Sequence, residues 1–427
     1  MSALTEKAKQ LYIYAFPIIV TEITHWGSDD KGLSHMREFP DHTNKKVVKM
    51  NNDTLYSLAW TQLANSPYVI HIPDITERYY LFPILDAYTN VFESISKRTP
   101  DNSFGDYILL YQDEPVPEGY ENYKVIRSRY SLNAILLRVE ARGKKDYQTA
   151  NAIQDRFSVR PLYPEKIQPV RSGEGIVPAQ YAENISTKEF YELYAELSRT
   201  NPIDDESILK IFEEFGFDSS TGSFDFDSLD DERKNALEEG RRQGFENIRN
   251  EHPSGDYIYP TNGWSVIRGG VGSYGRDYLR RASTALGGWG ANIAEDSAYG
   301  GAITDISGEP LSNKNSYRLH INADEYPHAS VFWSITLYGE PSKYPVQNKI
   351  NRFAINTYDV QDNIVERNPD GSLDIYISKD EPTVERERKN WLPAPSDEEH
   401  FSLTLRVYWP DEDTLNGKWN APVITKL

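Results

Sequence analysis

Apolar residues at Leu4, Ala8, Leu11, Tyr12 and Ala15 recur at the spacing of one helix face. Pro17, which has no amide proton, sets the expected stop or kink of that helix. Residues 18–48 mix short apolar runs with Asp, Gly, Pro and His, and read as loop. The period then changes to two. Asn51-Asn52-Asp53-Thr54 forms a turn or cap before a run at 55–60, and β runs follow at 68–72, 79–95, 107–111, 123–126 and 134–139. The segment 79–95 reads as one long strand, or as two broken at Pro83.

From 144 to 288 the pattern becomes helical, with Asp204-Asp205 and Asp230-Asp231 placed where helix N-termini favour negative charge and with a surface loop at 219–226. From 289 to 427 alternation returns in runs such as SVFWSITLY and FSLTLRVYW. The expected fold is α+β: two jelly-roll-like β-sandwiches, 1–143 and 289–427, with a largely helical region, 144–288, between them.

Composition narrows the function classes. Acidic side chains (65) outnumber basic ones (46), for a formal charge of −19, and that field disfavours nucleic acid and anionic membrane as partners. The 29 tyrosines suit cores, wet clefts and interfaces alike. Without cysteine there is no disulfide, thiolate nucleophile or Cys-ligated zinc. The eight histidines show no metal-ligand spacing, although His35 and His42 share a loop, so neither metal nor cofactor is expected. Gly269-Gly-Val-Gly272 has the glycines of a phosphate loop but no Lys-Ser/Thr after them. No secretory leader or spanning segment is evident, which predicts a cytoplasmic protein or, where a leader has been removed, a periplasmic or secreted one.

Three motifs carry a family resemblance: Asn51-Asn52-Asp53-Thr54-Leu55-Tyr56-Ser57, Arg78-Tyr79-Tyr80 and Asp86-Ala87-Tyr88-Thr89-Asn90. This region resembles the domain of unknown function 1254 family, departing from it at Met50, where proline is common. Residues 332–338, Asn351-Arg352, Asp370-Gly371-Ser372, 390–395 and 406–410 resemble the domain of unknown function 1214 family. The resemblance implies two β-sandwich-like domains in one chain and assigns no reaction.

If 79–95 is extended, Tyr80, Phe82, Ile84, Asp86, Tyr88, Asn90 and Phe92 share a face, opposite Leu81, Leu85, Ala87, Val91 and Ile95. That polar and aromatic face either lines a cleft or clasps neighbouring loops through Asp86 and Asn90. In the C-terminal strands Ser402, Thr404, Arg406 and Tyr408 share a face, as do Ser334, Thr336 and Tyr338, while Arg318 and His320 share another. These faces either bind a carboxylate or sugar or are solvated. Glu295 and Asp296 either face an inter-domain cleft or pair with Arg280 and Arg281.

Two functions follow. In the first, the protein is an enzyme, a hydrolase or lyase, acting on a small polar or carbohydrate-like molecule. Asp86, Asp53, Glu93, Tyr80 and Tyr88 would supply acid–base chemistry, and Asn52, Tyr56, Arg78, Asn90, Tyr338, Trp391, Arg406 and Tyr408 would bind substrate. In the second it is a non-catalytic binding or assembly protein whose aromatic β surfaces are ligand or homo-oligomer interfaces.

Overall fold

The computed structural model describes residues 2–43, 49–218, 221–251 and 257–427; His252, and Ser219 and Ser220 of the expected surface loop, lie outside them. Helix α1 (Ala3–His25) runs through Pro17, contrary to the expected stop. A helix-interior proline costs about 3 kcal/mol. Here residues 11–21 are buried on every side, and the burial of so many apolar side chains outweighs the lost bond. The expected loop at 18–48 therefore starts only after His25.

The first β region comprises β1 (Ser34–His35), β2 (Thr54–Gln62), β3 (Tyr68–Ile72), β4 (Tyr80–Asp86), β5 (Val91–Ser96), β6 (Gly105–Tyr111), β7 (Lys124–Ser128) and β8 (Leu132–Glu140), then α2 (Tyr147–Gln154) and β9 (Ser158–Pro161). One sheet runs β1-β2-β8-β4-β5 and the other β7-β6-β3-β9. Between them lies a core of Tyr68, Ile70, Tyr80, Phe82, Ile84, Leu109, Ile135 and Leu137. The pairing of β9 with β3 carries this unit past residue 143. Segment 79–95 is a hairpin that reverses at 87–90, not at Pro83. Pro83 is tolerated inside β4 because the ladder to β8 passes over Phe82 and Pro83.

Next come α3 (Pro178–Asn184), α4 (Thr187–Ser198), α5 (Glu206–Glu214), α6 (Asp231–Asn250), the hairpin β10 (Ile258–Thr261) and β11 (Trp264–Ile267), and α7 (Tyr278–Gly288). Asp205 and Asp230 cap α5 and α6, accepting from Ser207 N and Arg233 N at 2.8 Å. Helix α1 joins this layer and packs on α6 where Gly240 meets Ala8 and Gly244 meets Tyr12, too close for a Cβ at either glycine.

The chain ends in β12 (Ser297–Ala302), β13 (Tyr317–Ile321), β14 (Ala329–Glu340), β15 (Ala354–Asn356), α8 (Thr357–Gln361), β16 (Leu373–Ser378), α9 (Glu385–Lys389), β17 (Trp391–Pro393), β18 (His400–Pro410), α10 (Glu412–Leu415) and β19 (Val423–Lys426). Sheets ordered β10-β11-β12-β18-β14-β15 and β17-β16-β13-β19 enclose Trp264, Leu319, Trp333, Ile335, Ile375 and Leu405. The β10–β11 hairpin thus pairs into this sandwich although it precedes residue 289. The protein is α+β, two sandwiches with a helical region between them in the chain.

The five-stranded sheet is covered on both faces. Its inner face meets β3, β6 and β7. On its outer face Trp60, Leu85, Ala134 and Leu136 pack under the helices. Farther along that face Tyr79 and Leu81 pack against Phe332, Tyr358 and Tyr408 of the second sandwich. The central sheets of the two sandwiches therefore meet back to back.

Candidate functional site

The layer between those two sheets holds the polar residues. Strand β18 is central, and its ladders place Ser297, Tyr408 and Phe332 in one row and Tyr299, Arg406 and Ser334 in the next. Gly301, Thr404 and Thr336 form a third row, and Ser402 pairs with Tyr338 beyond it. The opposite faces of β14 and β18 carry Trp333, Ile335, Leu403 and Leu405 into the sandwich core. Alternation thus forces the polar set outward, as period two requires. The expectation of a solvated face fails because the N-terminal sheet covers it: Ser334 and Thr336 are wholly buried and Arg406 is 4% exposed.

The turn before β2 inserts into this face. Asn51 Oδ1 accepts from the Asp53 and Thr54 amides, both at 3.2 Å, which fixes an Asx turn. Its amide nitrogen then donates to the Tyr56 and Tyr408 hydroxyls, each at 2.9 Å. The Tyr338 hydroxyl donates to Met50 O at 2.6 Å. Arg406 donates to Lys49 O at 2.6 Å, to Tyr338 at 3.0 Å and to Thr336 Oγ1 at 3.1 Å. Asp53 accepts from Ser334 through Oδ2 at 2.6 Å, with the Asn356 side chain close by, while Oδ1 makes no hydrogen bond of good geometry among the described residues.

Burial raises the Asp53 carboxyl above its ordinary range, against the pull of Arg406 and the Ser334 hydrogen bond. Asp359, pushed up to about 6 chiefly by burial, lies within electrostatic reach of Asp53 but is engaged as the N3 residue of the α8 capping box. Burial also raises Tyr338 and Tyr408, so both phenols are proton donors at neutral pH.

Arg138 approaches from the N-terminal side. It projects from β8 with its guanidinium carbon 5.2 Å from the Tyr56 ring centroid, and Nη2 donates to Gly290 O at 2.6 Å. Among the described residues its Nε and Nη1 make no hydrogen bond of good geometry. Tyr56 and Tyr299 are half-buried, so the layer reaches the surface beside them. Asp296, wholly buried at the same junction, pairs with Arg98 Nε at 2.7 Å and Ser94 at 2.5 Å rather than with Arg280 or Arg281; Glu295 is exposed.

Five of the sequence-derived candidates, Asp53, Tyr56, Tyr338, Arg406 and Tyr408, therefore converge. The others do not. Asp86 is a clasp for the β4–β5 turn: Oδ1 accepts from the Tyr88 and Asn90 amides at 2.9 Å, and Oδ2 from the Asn90 side chain at 2.8 Å. Because the chain reverses at 87–90, Tyr88 and Asn90 share no strand face with Tyr80, and Asp86, the last residue of β4, spends its carboxylate on that turn. Tyr80 lies in the first sandwich core against Phe157, and Tyr88 lies in the helical core beside Tyr14 and Tyr130. Glu93 is half-buried, with its carboxyl raised by burial.

Arg78 forms a two-pronged ion pair with Asp146, at 2.5 and 2.7 Å. Asn52 donates to Pro40 O at 3.0 Å. Trp391 is buried in the far sheet, donating to Ser378 O at 2.9 Å, and Arg318 and His320 lie on that sheet too, apart from Arg406. Arg138 and Tyr299 carry no sequence-derived binding role, and Ser334 enters only as one member of a strand face. Arg138 has a signal of its own, as the one charge inside the apolar run NAILLRV.

Other groupings look less like sites. His328, Asp411 and Asp413 bring donor atoms within 4.8 Å of one another among the described residues, but Asp411 caps α10 and Asp413 lies 3.4 Å from Lys418. His35 meets Ser57 at 2.7 Å rather than a carboxylate. A surface hollow of about 410 Å³ is lined by Arg171, Lys188, Glu189, Glu192 and Glu196, and one of about 230 Å³ by Asp74, Tyr80, Lys97 and Phe104. Neither gathers the buried polar groups found between the sandwiches.

Two β-sandwiches joined back to back through a polar layer define a two-domain α+β protein. Residues 32–161 match the family model described as Protein of unknown function (DUF1254), and residues 296–412 match Protein of unknown function (DUF1214). The chain is a fusion of these two families, DUF1254 followed by DUF1214. Its fold is similar to the crystal structure of the VPA0106 protein from Vibrio parahaemolyticus, with a TM-score of 0.70 and 22% identity over 100% of both chains. An uncharacterized protein from Burkholderia cenocepacia aligns at a TM-score of 0.44 and 11% identity, over 99% of this chain and 87% of the other. No curated protein matches the chain.

Proposed function

We propose that the chain holds a small polar molecule between its two sandwiches and moves a proton on it through Asp53 and the surrounding tyrosines. One observation carries this reading: partnerless buried polar atoms gather on both sheets of the layer. They are Asp53 Oδ1, the Tyr79 hydroxyl and Arg138 Nε and Nη1 on one side, and the Ser297, Ser402 and Thr404 hydroxyls on the other. Each such atom costs about 1–3 kcal/mol if left bare, so water or a ligand completes them. Hydroxyl and phenol walls suit a small polar or carbohydrate-like substrate. Asp53, its carboxyl raised by burial and Oδ1 without a hydrogen bond of good geometry among the described residues, has the features of a general acid.

The non-catalytic reading has its own support, because Arg406, Tyr338 and Tyr408 are already bonded to residues 49–51 and so help join the sandwiches. A thermal-shift screen of sugars and organic acids on the native chain, Asp53→Asn and Tyr408→Phe separates the two. The enzyme reading expects a compound that stabilises the native chain, loses that effect in Tyr408→Phe, and is consumed by the native chain but not by Asp53→Asn. A compound bound but never consumed leaves the binding reading, and one that stabilises all three alike defeats both.

A further inference from the structure

Of the buried arginines other than Arg138 and Arg406 among the described residues, Arg280 pairs with Asp277 and Glu251, and Arg281, ringed by Tyr14, Tyr88 and Tyr278, lies within electrostatic reach of Asp86. Arg406 lies within electrostatic reach of Asp53 and has three hydrogen-bond acceptors besides, and the partly buried Arg98 pairs with Asp296. Arg138 is 4% exposed and has no ion pair with any carboxylate among the described residues. The nearest acid on its own strand face, Glu140, is held by Arg142 Nε at 2.7 Å and by the Tyr79 amide at 3.2 Å. What surrounds Arg138 is phenolic: Tyr56, Tyr299 and Tyr408. With Asp53 ionised, Arg138 and Arg406 leave the layer one positive charge in excess, and with Asp53 protonated, two.

The free edge of the guanidinium has a definite shape. Gly290 O takes one of the two hydrogens on Nη2; among the described residues Nε and Nη1 make no hydrogen bond of good geometry, although the Tyr56 hydroxyl lies close enough to favour the charge. Whichever Nη2 hydrogen is used, one two-nitrogen edge of the fork, Nε with Nη2 or Nη1 with Nη2, keeps both hydrogens free. Such an edge matches the two oxygens of a carboxylate. The unpartnered Tyr79 hydroxyl lies within electrostatic reach of Arg138 and Tyr299, and half-buried Tyr56 and Tyr299 give the layer its contact with solvent.

We propose that Arg138 is the anchor for the carboxylate group of a small organic acid, bound as a monoanion with the Tyr56, Tyr299 and Tyr408 phenols around it. This rests on the inter-sandwich ligand site argued above and names its ligand class. Arg138 itself carries a single charge, and its two-nitrogen edge matches the two oxygens of a carboxylate monoanion.

The test is calorimetric titration of the full chain with acetate, glycolate and benzoate, each beside its amide, and with inorganic phosphate, repeated on Arg138→Gln, Arg138→Lys and Tyr408→Phe. The expected result is binding of an acid but not of its amide, weakened about 10- to 100-fold in Arg138→Gln and less in Arg138→Lys. Should a variant fail to fold, the ¹⁵Nε signal of Arg138 in the native chain serves instead: it moves on titration with the acid and not with the amide. Acid and amide binding alike, with both lost in Tyr408→Phe, keeps the ligand site and overturns the carboxylate anchor. Phosphate as the sole ligand overturns it too, as does an acid whose affinity survives Arg138→Gln. Binding of none of these probes, with an unmoved Arg138 signal, removes both the anchor and the site.

Discussion

Ser334, on the central sheet of the C-terminal sandwich, donates its hydroxyl to Asp53 Oδ2 at 2.6 Å across 281 residues of chain. Both side chains are buried, and the bond ties the turn before β2 to the face of β14. Ser334→Ala is expected to lower the unfolding free energy by about 1–3 kcal/mol, because it strips a buried carboxyl of its hydroxyl partner. In an Asp53→Asn background the same change should cost less. A double-mutant cycle followed by denaturant unfolding measures the difference, and additive costs would mean that the two side chains do not interact.

The two buried arginines of the inter-sandwich layer are expected to respond oppositely to loss of charge. Arg406→Met strands Lys49 O, Tyr338 and Asp53, and should cost about 3–5 kcal/mol. Arg138→Met removes an ion desolvated without an acid partner, and should leave stability unchanged or raise it by up to about 2 kcal/mol. Chemical denaturation of both variants checks this. A large loss in Arg138→Met would make Arg138 a structural residue.

His25 closes α1 with Nε2 at 2.8 Å from Asp30 Oδ1 and Nδ1 at 3.3 Å from Glu22. Burial opposes its charge, but hydrogen bonds and charge from Asp30 and Glu22 prevail and push it up to about 9, while Asp30 is lowered. A raised histidine contributes stability that is complete below the unfolded value of 6.5 and lost as pH climbs through about 9. The lowered Asp30 contributes above 3.8, and that contribution fades as pH falls through its folded value. The loss between pH 6.5 and 9 should be on the order of 2–3 kcal/mol and should flatten in His25→Gln. Thermal melts across that range give the answer, and parallel profiles for both proteins would refute it.

Asp86 is pushed up to about 6 by burial, against the pull of its hydrogen bonds from Asn90 and Tyr88. A raised carboxyl favours the folded state most below its unfolded value of 3.8, and that contribution disappears as pH rises through about 6. At pH 7, Asp86→Asn is therefore expected to change stability by less than about 1 kcal/mol, since it removes a buried charge and keeps an acceptor. Asp86→Ala abandons the Tyr88 and Asn90 amides and should cost about 2–3 kcal/mol. Differential scanning calorimetry separates the two, and equal losses would contradict the clasp.

Much of the architecture was legible because it is written in local periods. Alternation in FSLTLRVYW assigned Arg406 and Tyr408 to one face of β18, and the Asp205 and Asp230 caps followed from residue type and position. The misreadings were of two physical kinds. Intrinsic preference makes Pro17 a stop or kink and Pro83 one possible break within 79–95, but α1 continues inside the helical layer and the β4 ladder passes over its proline, so tertiary context overrides propensity. Period two places Tyr88 and Asn90 on the Tyr80 face only while the chain stays extended, and the turn at 87–90 ends it after Asp86.

The sequence by itself determined two β regions, a helical stretch and a polar face on the C-terminal strands, because side-chain alternation needs only neighbours in the chain. Which surface covers that face was decided by the tertiary structure alone. Asn51 and Tyr408, 357 residues apart, share a hydrogen bond of 2.9 Å only because two sheets pack back to back. Arg138 is a charge within an apolar strand in the sequence; once the second sandwich has closed over it, it is a buried cation among phenols with no ion-paired carboxylate among the described residues.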